Sequence, residues 1–315
     1  MCKQTEGYCQ TAPLFTITPR NYGIVDSAMA HYDIFRHHLA IKYPAYGHAL
    51  WEPSPGGRYP AVAVGDVGFI REGQFHRLFN VLLSPRDPSH RLGIPEENEQ
   101  LRPRVEDHII PGTLSPNHFC SAGVALESEP GVFATGPKNP AEVTFLCRRK
   151  QGAVLSLPIQ AKCENTVALG DFGEWMINHI DRWFAWAREL GMGINRMEDI
   201  VLVTGVHRTR SWTNVAFLEG QTDSRVSFEV QVAADTNINW RFSPDRIIGA
   251  VLNRGPVGQD LPEDQCIFIR GYRVTRKLMI LPRLKGAAGP NPDPKGPNSE
   301  PDVELVPIST VPEYT

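Results

Sequence analysis

The sequence predicts an α+β fold. Its sheet is mostly antiparallel, with one strand-helix-strand crossover unit over about 152–206 and a second helix near the N-terminus. Three observations predict this. The run 152–203 reads as buried strand, capped aromatic helix and second buried strand. The stretch 225–242 switches to strict apolar/polar alternation, the mark of a half-buried antiparallel hairpin. The 27 Gly and 27 Pro in 315 residues argue for many turns and against a helical bundle.

Taken in chain order, residues 1–23 read as a loose leader. Residues 25–42 then space Ile34, Phe35, His38, Leu39 and Ile41 near the helical period, and Tyr43-Pro44 ends the helix. Tyr59–Val64 and Asp66–Ile70 read as strand. Glu72-Gly73 is a turn, and 74–83 resumes as a hairpin partner or a short helix. Residues 84–118 read as a surface excursion, while Phe119–Leu126 and Val143–Arg148 read as strands. Gly152–Leu157 is an apolar strand stopped by Pro158.

The helix at 171–190 is marked at both ends. Asp171 with Glu174 forms a capping box, and Gly191 supplies a left-handed terminator. Between them Phe172, Trp175, Met176, Ile180, Trp183, Phe184 and Ala187 form a stripe at helical spacing. Ile200–Val203 is continuously apolar, as in a strand covered on both faces. Ile267–Val274 and Leu278–Leu281 are further strands, and 286–315 reads as a Pro/Gly-rich disordered or surface-bound tail. Residues 24–285 are then a single α+β domain.

A net charge of -3 and pI near 6.4 give no general attraction to nucleic acid or anionic membrane. The six Cys have no metal-ligand spacing, and no C-x-x-C pair occurs. No signal-peptide pattern and no membrane-span-length apolar run is found, so a reducing cytoplasmic setting is expected. The histidines fall in no zinc pattern, and the glycines form no phosphate-cradling loop, so no cofactor or metal is expected.

The densest polar cluster, Thr204 to Trp212, follows the buried strand. Here His207 is the candidate acid or base, Asp66 its orienting carboxylate, Arg208 and Arg210 an anion clamp, and Thr204 and Trp212 further substrate contacts. Two main readings follow. One is a soluble binding or interaction module for a small anionic ligand or a protein partner. The other is an enzyme acting on a small anionic or planar substrate. A weaker third is a membrane-active protein inserting the 225–242 hairpin, against which Glu229 and Arg241 count. Oligomeric state is not legible.

The segments Gly65–Ile70, Gln151–Pro158, Leu202–Gly205, Arg210–Trp212 and Gln265–Gly271 resemble a family of uncharacterised proteins from mushroom-forming (basidiomycete) fungi, over roughly 45–285. The resemblance implies a fungal, cytosolic protein. It carries no activity, so no catalytic residue is transferred from it.

Overall fold

The computed structural model describes residues 29–55, 59–96, 99–103, 108–128, 141–218, 224–232, 238–256, 261–276 and 303–309. Its spine is the antiparallel pair of β10 (Ile200–Thr209) and β15 (Gln265–Arg276). Both outer edges of this pair are shared between two short strands. On β10, residues 200–202 pair with β2 (Asp66–Arg71), and residues 205–208 pair with β9 (Ala161–Thr166). On β15, residues 268–269 pair with β1 (His48–Ala49), and residues 272–276 pair with β16 (Val303–Pro307). The hairpin partner β3 (Gln74–Asn80) extends the sheet beyond β2, and β4 (Ile109–Leu114) extends it beyond β9.

Ile200–Val203 justifies its continuous apolar run. Ile200 and Leu202 pack under helix α2 (Leu169–Glu189) with Val67, Phe79 and Val274. Val201 and Val203 enter a cluster on Leu50, Val62, Phe75 and Ile269. Alternate residues of one strand thus serve two cores. The apolar stripe of α2 supplies Phe172, Met176, Ile180, Trp183 and Ala187, all at most 1% exposed. Each large member contributes about 1.5–3 kcal/mol on burial.

A second sheet runs β14 (Ala250–Arg254), β11 (Thr213–Phe217), β8 (Gly152–Leu157) and β5 (Asn117–Cys120). A third runs β13 (Ile238–Ile248), β12 (Ser224–Val232), β7 (Ala141–Cys147) and β6 (Val124–Ser128). The two enclose a core of Val154, Val215, Phe217, Phe145, Val226 and Phe228. Helix α1 (His31–Lys42) covers the outer face of the second sheet with Ile34, Phe35 and Leu39, against Leu155, Ala216 and Phe268 of the spine.

The α+β class with mostly antiparallel sheet therefore holds, as does the second helix. The crossover unit over 152–206 does not take the expected form. β8 lies in the second sheet, and α2 joins β9 to β10, which are antiparallel neighbours. The polar strand β9, inserted between β8 and the helix, reverses the geometry. Helix α2 also starts two residues before Asp171. Its N-cap is Ala168, with no side-chain cap, and Asp171 lies in the first turn, where its charge suits the helix dipole. Gly191 at φ 66° closes it as expected.

Glu72 and Gly73, at φ 51° and 77°, make the tight turn of the β2–β3 hairpin. The 225–242 hairpin is β12–β13, and its Val226 and Phe228 are buried against the second sheet. Of the expected tail, 303–307 is the edge strand β16 and 308–309 follow it as a turn; the rest of the tail, the leader and the expected strand 278–281 fall outside the described residues. No helix among the described residues is long and apolar enough to cross a membrane.

Trp183 is 0% exposed at the centre of the α2 core and meets Phe79 edge-on at 5.5 Å. Trp183→Ala is expected to cost about 3–5 kcal/mol in urea unfolding. Truncating half-buried Trp186 to Ala should cost clearly less.

Candidate functional site

The 204–212 cluster does not form one site, because its side chains are distributed among several surroundings. His207 is 4% exposed, with Tyr46 and Phe268 edge-on at 5.6 and 5.9 Å. Burial, reinforced by the nearby Arg270 charge, pushes its pKa down to about 4, so the ring is neutral at neutral pH. A base of that pKa is poorly matched to proton transfer near pH 7.

Arg208 pairs with Glu164 on β9 and reaches the Val62 carbonyl. Arg210 lies 3.8 Å from Glu263. Trp212 is 1% exposed, sits in the core under α1, and donates its indole N–H to Gln265 at 3.3 Å. It is a structural anchor.

Asp66 is 0% exposed. Its Oδ1 lies 2.9 Å from Arg77 Nε and accepts the Asn80 amide at 2.7 Å; its Oδ2 accepts the Ala63 N–H at 2.8 Å. Burial raises its pKa to about 6, against the opposing pull of Arg77, the Ala63 amide, Asn80 and Arg208. The carboxylate thus ties the start of β2 to β3. Its acceptor sites are occupied by these partners, and the structure does not bring it to His207. A carboxylate so held is expected to be structural, because removing it strands a buried guanidinium.

Thr204 is placed differently. In the spine, Val203 pairs with Gly271 and Gly205 with Arg270, so Thr204 is the extra residue of a β-bulge. It also falls in the gap on the other edge, between the end of β2 pairing at Leu202 and the start of β9 pairing at Gly205. Bulges re-aim side chains, and this one lies at an opening in the sheet. Thr204 is 5% exposed and lines a surface depression of about 210 Å³.

The depression is completed by Asn165 and Thr166 of β9, Leu169 at the start of α2, Arg270 to Tyr272 of β15, and Ile308 and Ser309 after β16. Arg270 donates through Nε to the Ala45 carbonyl at 2.8 Å and through Nη1 to Asn165 Oδ1 at 3.3 Å. It pairs with no carboxylate among the described residues, and no Asp or Glu lines the depression. Gly205 makes the Arg270–Asn165 bridge possible, since a Cβ there would run into Asn165 Oδ1. At the start of α2 the N-cap Ala168 supplies no side-chain cap, and Thr166 Oγ1 accepts the Ala168 N–H at 3.1 Å. Burial pushes the Tyr272 phenol up, keeping it a neutral donor. A cation and neutral donors, with no carboxylate in the lining, form a seat suited to an anionic group.

Of the expected site residues, only Thr204 lies in this depression. Arg270, Asn165 and Leu169 were not anticipated. Gly271, a glycine within a strand, was the available signal of close backbone approach. Among the described residues no cluster of His, Cys, Asp and Glu is arranged to hold a metal ion.

No family model, no curated protein and no solved structure matches the chain.

The assignments of Asp66 and His207 predict opposite pH effects. Asp66, raised from 3.8 to about 6, contributes stability that is present below pH 4 and lost as pH rises to 6. His207, lowered from 6.5 to about 4, contributes stability that is present above pH 6.5 and lost as pH falls to 4. His48 and His118, at about 3 and 4, act in the same sense as His207. In urea midpoints measured across this range, His207→Phe should make the acid loss shallower and Asp66→Asn should make it steeper. Matching changes in the two variants would mean that the groups titrate as a pair.

Proposed function

We propose that this protein is a binding module whose ligand presents a small anionic group, phosphate or carboxylate, to the bulge at Thr204. The carrying observation is the bulge at Thr204, which takes that residue out of the regular pairing and sets it in the lining of a depression beside Arg270. The size of the depression supports a group and not a whole drug-sized molecule, since sites for those run to about 300–1,000 Å³.

The enzyme reading built on His207 and Asp66 gains no support from this arrangement, because the two are held by different partners. Hairpin insertion gains none either, since Val226 and Phe228 are committed to a core. A reducing cytosol, as in a fungal cell, is the proposed setting. Its support is four free cysteines among the described residues, with burial raising the Cys266 thiol to about 12.

A thermal-shift titration of the full chain with phosphate, acetate and chloride tests the site. Ligand at about 100 times its Kd adds about 2.7 kcal/mol, enough to raise Tm by a few degrees. Phosphate or acetate should raise Tm where chloride does not. Thr204→Val and Arg270→Gln should each reduce the ligand-induced rise. An equal rise in both variants and the wild type would refute the proposed seat.

A further inference from the structure

The surroundings of the anion seat are unusually apolar for a polar binding site. Leu169, which lines the depression, is 46% exposed; Val167 beside it is 48% exposed and Ile110 is 52% exposed. These are three of the seven large hydrophobic side chains the described residues leave open; Val167 and Leu169 are two apart in the chain, and the Val167 N–H donates to the carbonyl of His108, two residues before Ile110. Ile110 pairs directly across from Asn165, which in turn pairs with Gly205, which pairs with Arg270. Directly paired residues share a sheet face. One cross-strand row therefore runs from the guanidinium, over a glycine and an amide, to an exposed isoleucine. Three strand spacings make it about 14 Å long.

The edge strand β4 carries Pro111 next to Ile110. A proline there lacks the amide that an added strand would need, so the edge is blunted against strand pairing. The exposed isoleucine is better accounted for by a side-chain ligand than by a docked peptide strand.

We infer that the ligand is a single amphiphile: an anionic head seated at Thr204 and Arg270, with a medium-length alkyl or acyl chain lying over Leu169, Val167 and Ile110. This rests on the proposed anion seat and adds the substrate class to it. Charge complementarity sets the head at Arg270, and continuity of the lining through Leu169 sets the course of the chain. A chain laid on an open shelf is covered on one side only. Full burial of a methylene is worth about fourfold in affinity. Covering one side should therefore give about twofold per methylene.

The test is calorimetric titration of the full chain with inorganic phosphate and with butyl, hexyl and octyl phosphate, all below their micellar concentrations. Octyl glucoside serves as a neutral control, and vesicles of anionic phospholipid as a bilayer arm. The expected result is affinity rising about twofold per methylene, with octyl glucoside weaker than octyl phosphate. A shelf variant carrying Ile110→Ser and Val167→Ser should lose most of the chain-length dependence while keeping wild-type affinity for inorganic phosphate. These positions are exposed, so the variant should fold, and retained phosphate affinity verifies that it has.

Alkyl phosphates binding no tighter than inorganic phosphate would overturn the amphiphile and leave the anion seat standing. No binding of phosphate or any alkyl phosphate would overturn both. Binding to vesicles without binding to monomeric octyl phosphate would also overturn the inference, because the face would then read a bilayer surface.

Discussion

The structure depends on one ladder, the antiparallel pairing of β10 with β15. Leu202 to Thr209 are paired with Gln265 to Tyr272, and every other strand of the main sheet is attached to the outer edge of one of these two strands, directly or, for β3 and β4, through β2 and β9. The ladder also joins the cores. Leu202 and Val274 face α2, Val203 and Ile269 face the opposite cluster, and Phe268 reaches the aromatic core beneath α1. No side chain here has a second way to bury itself. Ile200–Val203 can be apolar throughout only because both faces are covered, and both are covered because α2 and the loops around Leu50 and Val62 close over them.

The same ladder sets where the proposed ligand would be received. A long strand whose outer edge is filled by two short strands must carry a gap between them, and in β10 that gap falls at Thr204. The bulge there turns one hydroxyl out of the regular alternation. The nearby glycines keep the backbone close: a Cβ on Gly271 would collide with the Leu202 carbonyl, and one on Gly205 with Asn165. Charge follows the same geometry. Acidic groups near the spine are committed elsewhere, Asp66 to Arg77 and Glu164 to Arg208, while Arg270 is held only by neutral oxygens. Among the described residues no carboxylate pairs with it beside the depression.

Local signals in the sequence were reliable where the chain's own neighbours decide the structure. The stripe from Phe172 to Ala187, the turn at Glu72-Gly73 and the alternation at Val226–Phe228 were all legible, because period, turn chemistry and burial agree. The strands β9, β11 and β14 were missed. β9 reads Ala-Lys-Cys-Glu-Asn-Thr, a polar run stabilised by two strand partners and not by its own composition. The crossover expectation failed for that reason. The candidate site was legible only at Thr204. His207, Arg208 and Trp212 looked functional because they are chemically capable, yet their roles are set by packing, which spacing does not reveal. Arg270 lies 105 positions from the Asn165 it bridges, and no pattern in one sequence reports that pairing.

The claim that the Thr204 bulge is the receiving point is tested most directly by amide chemical shifts. The isotope-labelled full chain would be titrated with inorganic phosphate. The account predicts saturable shifts concentrated at Leu169, Gly170, Thr204, Gly205 and Gly271. Shifts concentrated instead at the exposed basic turn Arg148-Arg149-Lys150, with Thr204 and Gly205 unmoved, would contradict it.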